Sequence, residues 1–106
     1  DDATAAELML LGGKGNISVT ANIAPAAVKA VCLAAMSGDK EATAAADAPL
    51  RILHDRLFVE ANPIPVKWAL LAMGMMEDGI RLPLTVLSEA AQPSVTEALT
   101  QAGLLD

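Results

Sequence analysis

Five groups of residues in this chain have types that could do chemistry: the acidic pair Asp1-Asp2, the run Gly12-Gly13-Lys14-Gly15, the polar series Ser18, Thr20 and Asn22, the thiol Cys32 and the imidazole His54. The acidic pair fits either a carboxylate pair at a pocket or a helix cap, and on local sequence the cap is favoured. The glycine run could cradle a phosphate, but phosphate loops lie between a strand and a helix, whereas this one lies between a helix and a strand. It reads as a plain turn. His54 has no Cys or His companion and reads as a helix-face histidine rather than a metal ligand. Cys32 lies on an apolar helical face with no basic neighbour to activate it, which makes it a structural thiol. Ser18, Thr20 and Asn22 are different. At the carboxyl end of a parallel strand they would face the place where α/β folds bind ligands, although polar filling of a barrel interior accounts for the pattern equally well.

These residues need elements to position them. Asn16 to Thr20 alternates β-branched Ile17 and Val19 with polar neighbours between glycines and Ala21-Asn22, and is the only run that reads as a buried strand. A lone strand cannot satisfy its own N–H and C=O groups, so this one calls for a sheet that the chain does not contain. Asn16-Ile17-Ser18 also matches a glycosylation sequon, a chance match in a buried strand of a cytosolic chain.

Around the strand the pattern is helical. Thr4 with Glu7 fits a capping box, which predicts a helix from about Asp2 to Leu11 stopped by Gly12-Gly13. Pro25 opens a helix carrying Val28, Val31, Cys32 and Ala35 on one face, with Ser37-Gly38 as its end. Asp39 starts an Ala-rich helix that Pro49 breaks or kinks, since a proline in an unbroken helix costs roughly 3 kcal/mol. From Leu50 an apolar stripe runs through Leu53 and Leu57 to Phe58, while Arg51, Asp55 and Arg56 take the wetter faces. Pro63 and Pro65 force an extended or turned backbone at Glu60 to Pro65. A helix from about Pro65 to Met73 is stopped by Gly74, Ile80 to Leu84 is too proline-interrupted for an interior strand, and a last helix runs from the Ser88 to Pro93 region to Ala102, with Gly103 as its stop.

The chain has 106 residues, 54% apolar and 19% charged, which suits one folded unit rather than a disordered tail. Ala, Leu, Val and Met dominate, with one Phe, one Trp and no Tyr, a helix-forming mixture. The mean hydropathy of +0.45 suggests surfaces meant to be covered. A formal charge of -6 without a Lys/Arg cluster argues against nucleic acid as a partner. The single cysteine excludes an internal disulfide, and no apolar run approaches the roughly 18 residues of a membrane span. The expected setting is a soluble, reducing one, the cytoplasm. The opening Asp1-Asp2, without Met or signal pattern, reads as cut from a longer polypeptide or processed.

Taken in series, Asp1-Asp2, Leu11-Gly12-Gly13-Lys14-Gly15-Asn16-Ile17-Ser18-Val19-Thr20-Ala21-Asn22, Leu57 to Lys67, Arg81-Leu82-Pro83-Leu84 and Ala102 to Leu105 resemble the C-terminal third of the 4-hydroxy-tetrahydrodipicolinate synthase family, also called dihydrodipicolinate synthase. The resemblance implies an α/β fold, a (β/α)8 TIM barrel followed by a C-terminal helical region. Residues 1–37 would hold the last helix-strand-helix part of the barrel and residues 38–106 the helical region, in a single unit. It also implies a homotetrameric, cofactor-free Schiff-base lyase that condenses pyruvate with aspartate semialdehyde in lysine and diaminopimelate biosynthesis. The Schiff-base lysine, the proton-shuttling tyrosine and the carboxylate-binding arginine belong to earlier strands and loops, so this chain would be inactive alone and would need the preceding barrel segment as its partner. Lys67 belongs to the Pro-Ile-Pro-Val-Lys turn instead.

By the same resemblance, Ile17 matches the residue whose backbone carbonyl faces the bound pyruvate adduct, with Ser18 beside it. Asp1 and Asp2 match the acidic pair at the pocket mouth, and the helix ending at Leu11 matches one that contributes to the tetramer contact. Pro49 departs from the family, whose proline more often lies later in that helix. Two rival functions stand beside this one. A sister pyruvate-dependent aldolase, similar to N-acetylneuraminate lyase, fits the Ser-Val-Thr-Ala-Asn run less well, and a non-catalytic helical interaction module would be favoured by a genuine start at Asp1.

Overall fold

The computed structural model describes all 106 residues, and they fold into six α-helices joined by turns. The helices are α1 (Asp2–Leu10), α2 (Pro25–Met36), α3 (Lys40–Asp47), α4 (Arg51–Arg56), α5 (Ile64–Ala72) and α6 (Gln92–Gln101). No helix is long and apolar enough to cross a membrane.

The helix ends obey local chemistry. Asp1, not Thr4, is the cap of α1: its carboxylate accepts from the Thr4 N–H at 3.1 Å and the Thr4 hydroxyl at 2.8 Å. Thr4 is therefore a donor inside the first turn, and the capping box expected from Thr4 and Glu7 does not form. At the other end, Gly13 N–H donates to the Leu8 carbonyl and Gly12 N–H to the Met9 carbonyl, the paired bonds of a Schellman end. That end requires the left-handed backbone of Gly12, φ 113°. The expected turn at Gly12-Gly13 is thus a helix stop. Asp39 caps α3 through the Ala42 N–H at 2.9 Å. Pro49 falls in a 3-10 turn, Ala48–Leu50, that separates α3 from α4, which is the break its missing donor imposes.

The expected strand at Asn16 to Thr20 does not form. Residues 14–18 have no regular structure, and from Val19, with φ -74° and ψ -45°, the chain turns into a 3-10 turn over Thr20–Asn22. The physical reason is the one that makes a lone strand suspect: no second strand offers a ladder, so the polar groups of the segment turn to side chains instead. The α/β reading therefore becomes, within this chain, an all-helical arrangement.

The main core joins both halves of the chain. Ile23, Val28 and Val31 pack with Leu50, Leu53, Leu57, Ile64, Val66, Leu87, Val95 and Leu99 in one apolar cluster. The stripe Leu50, Leu53 and Leu57 is buried as its spacing predicts. α1 instead rests on a small satellite of Ala5, Met9 and Ala35. The loop after α4 is tied to the approach to α6 by Glu60, which accepts from the Ser88 hydroxyl and, at 3.3 Å, from the Ser88 N–H. The molecule measures 40 × 29 × 21 Å with a radius of gyration of 14.2 Å, above the about 13 Å of a compact domain this long. It is a flattened body with much apolar surface outside.

Candidate functional site

The acidic pair divides. Asp1 is exposed and caps α1, whereas Asp2, one residue on, is only 4% exposed and turns inward. Its Oδ1 accepts from the Asn16 side-chain amide at 3.0 Å and from the Ser18 hydroxyl. Its Oδ2 accepts from the N–H groups of Val19 at 2.9 Å and Thr20 at 3.2 Å. Burial alone would raise this carboxyl, but the Ser18 hydroxyl, the Thr20 N–H, the Asn16 amide and the Val19 N–H outweigh it and leave the group below its ordinary 3.8.

Those donors all belong to one segment, Asn16 to Thr20, which has no ladder of its own. Ser18 closes it from within: its Oγ also accepts the Ala21 N–H at 2.9 Å, which satisfies one free donor of the 3-10 turn. The Asn22 amide donates to the Val19 carbonyl at 3.0 Å. The result is a polar lip clasped by Asp2. Ile17, at its crest, is fully exposed at 102%, and Ser18 is half-buried.

The lip is held from its other side by His54, which the sequence pattern marks only as a helix-face residue. The Thr20 hydroxyl lies 2.9 Å from His54 Nδ1, and His54 Nε2 lies 3.1 Å from Asp47 Oδ1. Asp47 Oδ2 in turn accepts from Arg51 Nε at 3.3 Å. A carboxylate can only accept, so Nε2 carries the hydrogen facing Asp47, and Nδ1 of the singly protonated ring takes the hydrogen of the Thr20 hydroxyl. The order of groups is that of a hydroxyl nucleophile, base and orienting acid. Access decides against that chemistry. Thr20 is 0% exposed, and the cavity lined by Asp2, Asn16, Asp47 and His54 has a volume of about 10 Å³, room for one water molecule at most. The set positions; it does not attack. Spacing could have disclosed half of it, since Asp47, Arg51 and His54 recur at helical intervals on one face.

The remaining residues stay apart. Leu11 lies just past the end of α1 at 80% exposure, away from the lip network. Cys32 is half-buried beside the satellite core with Leu10, as a structural thiol would be. Lys14, Lys29 and Lys40 present no buried amine, since all three are exposed, while Lys67 is half-buried in α5.

Residues 1–102 match the model of the dihydrodipicolinate synthetase family. The chain belongs to this family. It is 61% identical over 105 residues to the 4-hydroxy-tetrahydrodipicolinate synthase of Pseudomonas syringae pv. syringae, a match covering 99% of this chain and 36% of the relative. A crystal structure of the chloride-inhibited dihydrodipicolinate synthase from Acinetobacter baumannii complexed with pyruvate superposes with a TM-score of 0.97 at 52% identity, over 99% of this chain and 36% of that one. The dihydrodipicolinate synthase of Thermotoga maritima gives 0.93 at 41% identity, with 99% and 36% covered. The chain thus spans about a third of the length of the dihydrodipicolinate synthases it matches, and its helices superpose on part of their TIM-barrel fold.

Proposed function

We propose that this chain supplies the C-terminal third of a Schiff-base lyase of the dihydrodipicolinate synthetase family, which condenses pyruvate with L-aspartate semialdehyde on the route to diaminopimelate and lysine. The observation that carries the reading is the similarity along nearly the whole chain, 61% identity to a synthase of that name and a TM-score of 0.97 to another. In this reading the lip is the chain's contribution to the substrate pocket. The Ile17 carbonyl faces the pyruvate adduct, Ser18 stands beside it, and Asp1 and Asp2 lie at the pocket mouth. The hydrogen bonds narrow what the two carboxylates do: Asp2 spends both oxygens on the lip, and Asp1 is engaged with Thr4.

The nucleophile comes from elsewhere. A Schiff-base amine needs a desolvated setting that lowers its pKa, while none of the four lysines here is buried and the chain has no tyrosine to shuttle a proton. The partners implied are the preceding barrel segment, whose apolar surface would cover Ile17, and further copies meeting near Leu11 in a homo-oligomer. No cofactor enters the chemistry, and the setting is cytoplasmic.

Borohydride trapping with pyruvate tests this. The chain mixed with the N-terminal two thirds of the Pseudomonas syringae relative should yield a reduced adduct on that segment. A stoichiometric adduct on Lys14, Lys29, Lys40 or Lys67 would overturn the assignment.

A further inference from the structure

Asn16 and Ser18 flank Ile17, and both donate to the same oxygen of Asp2, the Asn16 amide at 3.0 Å and the Ser18 hydroxyl beside it. In an extended segment residues two apart share a face, so one carboxylate oxygen grips the backbone on both sides of the Ile17 carbonyl. The second oxygen takes the N–H groups of Val19 at 2.9 Å and Thr20 at 3.2 Å. Val19 has left the extended region, with φ -74° and ψ -45°. Any strand pairing that the preceding barrel segment offers therefore stops at Ser18, and the two amides beyond it depend on Asp2. Nearly all of this chain superposes on a complete synthase, so the start of α1 and residues 16–20 keep this relation inside a closed barrel.

The Ser18 hydroxyl carries one hydrogen. Asp2 takes it, and the hydroxyl oxygen itself accepts the Ala21 N–H at 2.9 Å. Burial would raise the Asp2 carboxyl, yet its four donors leave it below its ordinary value, so it stays ionised and can only accept. Ser18 has no hydrogen left for a ligand, and the carboxylate of pyruvate needs a donor.

We propose that Asp2 is a positioning residue that fixes the Ile17 carbonyl against the pyruvate adduct and withholds the Ser18 hydrogen from the substrate. This rests on the proposed placement of Ile17 and Ser18 in the pyruvate pocket. Asp2 and Ser18 then act as one unit, because removing either opens the same grip. A grip that shapes the pocket before substrate arrives and persists through the reaction acts on binding in ground and transition state alike, so its loss raises KM and spares kcat.

The test uses a full-length enzyme in which this chain replaces the corresponding third of the Pseudomonas syringae relative. Asp2→Asn keeps the shape of the side chain and sets an amide nitrogen where one accepting oxygen stood, whereas Ser18→Ala deletes the hydroxyl. The expected result is a rise of about tenfold in KM for pyruvate in each single variant, the size that one lost hydrogen bond to a buried charge produces, with kcat within about twofold. The double variant should show the same rise of about tenfold rather than about a hundredfold, since the two residues form one grip. Multiplied single effects would overturn the proposal, because Ser18 would then meet the substrate independently of Asp2. Parental KM values with only Tm lowered would overturn it as well, being the mark of a merely structural clasp. So would a fall of about a hundredfold in kcat at unchanged KM in Asp2→Asn, which an acid or base at this position would give. Where Asp2→Asn does not fold, Asp2→Glu, which keeps the charge and displaces both oxygens, takes its place in the cycle. Borohydride trapping of pyruvate on the unmodified chimaera separates the two failures. Without an adduct there the functional reading falls and the proposal with it, whereas an adduct-forming parent whose variants give any of the contrary results contradicts the proposal alone.

Discussion

The start of the chain and its far end are built on opposite principles. From α4 to α6 the structure is apolar and closed: Leu53, Leu57, Val95 and Leu99 are wholly enclosed in one cluster. From α1 to the lip it is polar and open, with the small satellite of Ala5, Met9 and Ala35 beneath, Ala6, Val19 and Ala21 at the margin of the main core, four hydrogen bonds on Asp2, and Leu8, Leu11 and Ile17 facing outward. The difference teaches what each part needs. The helices from α4 to α6 close over an apolar core that α2 completes, while the lip holds its shape largely by hydrogen bonds and leaves Ile17 for a covering surface, which in the proposed function is the rest of the barrel.

The largest expected effect lies in the closed region. Leu53→Ala should destabilise the chain by about 2–5 kcal/mol in urea unfolding, while Ile17→Ala, at a site already in solvent, should change stability by less than about 0.5 kcal/mol. Comparable losses from the two would erase the contrast.

Next comes the clasp. Asp2→Ala strands four donors and should cost about 2–3 kcal/mol, with hydrogen exchange rising first at Val19 and Thr20. The same carboxylate gives a pH dependence of definite sign. Folding lowers its pKa from 3.8, so its stabilisation is full above that value and fades as pH falls through the folded-state value. Unfolding measured from about pH 6 to about pH 3 should therefore show a smaller acid-dependent loss in Asp2→Asn than in the parent. Parallel curves would mean that the Asp2 carboxylate contributes nothing to the clasp.

The smallest effect belongs to the stop of α1. Gly12→Ala forces a side chain onto a backbone at φ 113° and should cost about 1–2 kcal/mol, while Gly15→Ala, whose added methyl meets nothing within 4 Å, should cost less. Equal costs at the two positions would mean that the Schellman end does not depend on the left-handed residue.

The helices are legible in the sequence because their signals are local. Pro25 opens α2, Asp39 caps α3, Pro49 separates α3 from α4, and Gly74 and Gly103 stop α5 and α6, each through its own backbone chemistry. The strand reading fails because β-branched alternation reports a pleated, half-buried surface, and that surface requires a neighbour which composition within Asn16 to Thr20 cannot supply. Asp1 is legible as a cap, but Asp2 is not legible as a clasp, since its partners lie 14 to 18 residues away. His54 reads as a helix-face residue without a role for the same reason: Thr20 is 34 positions distant and enters only through the fold.

The covering surface can be tested by light scattering of the chain with and without the N-terminal two thirds of the Pseudomonas syringae relative. The predicted result is self-association of the chain alone, replacement of that state by a one-to-one complex with the segment, and weakening of both by Ile17→Lys. A stable monomer that ignores the segment, with residues 14–18 protected in hydrogen exchange, would contradict it.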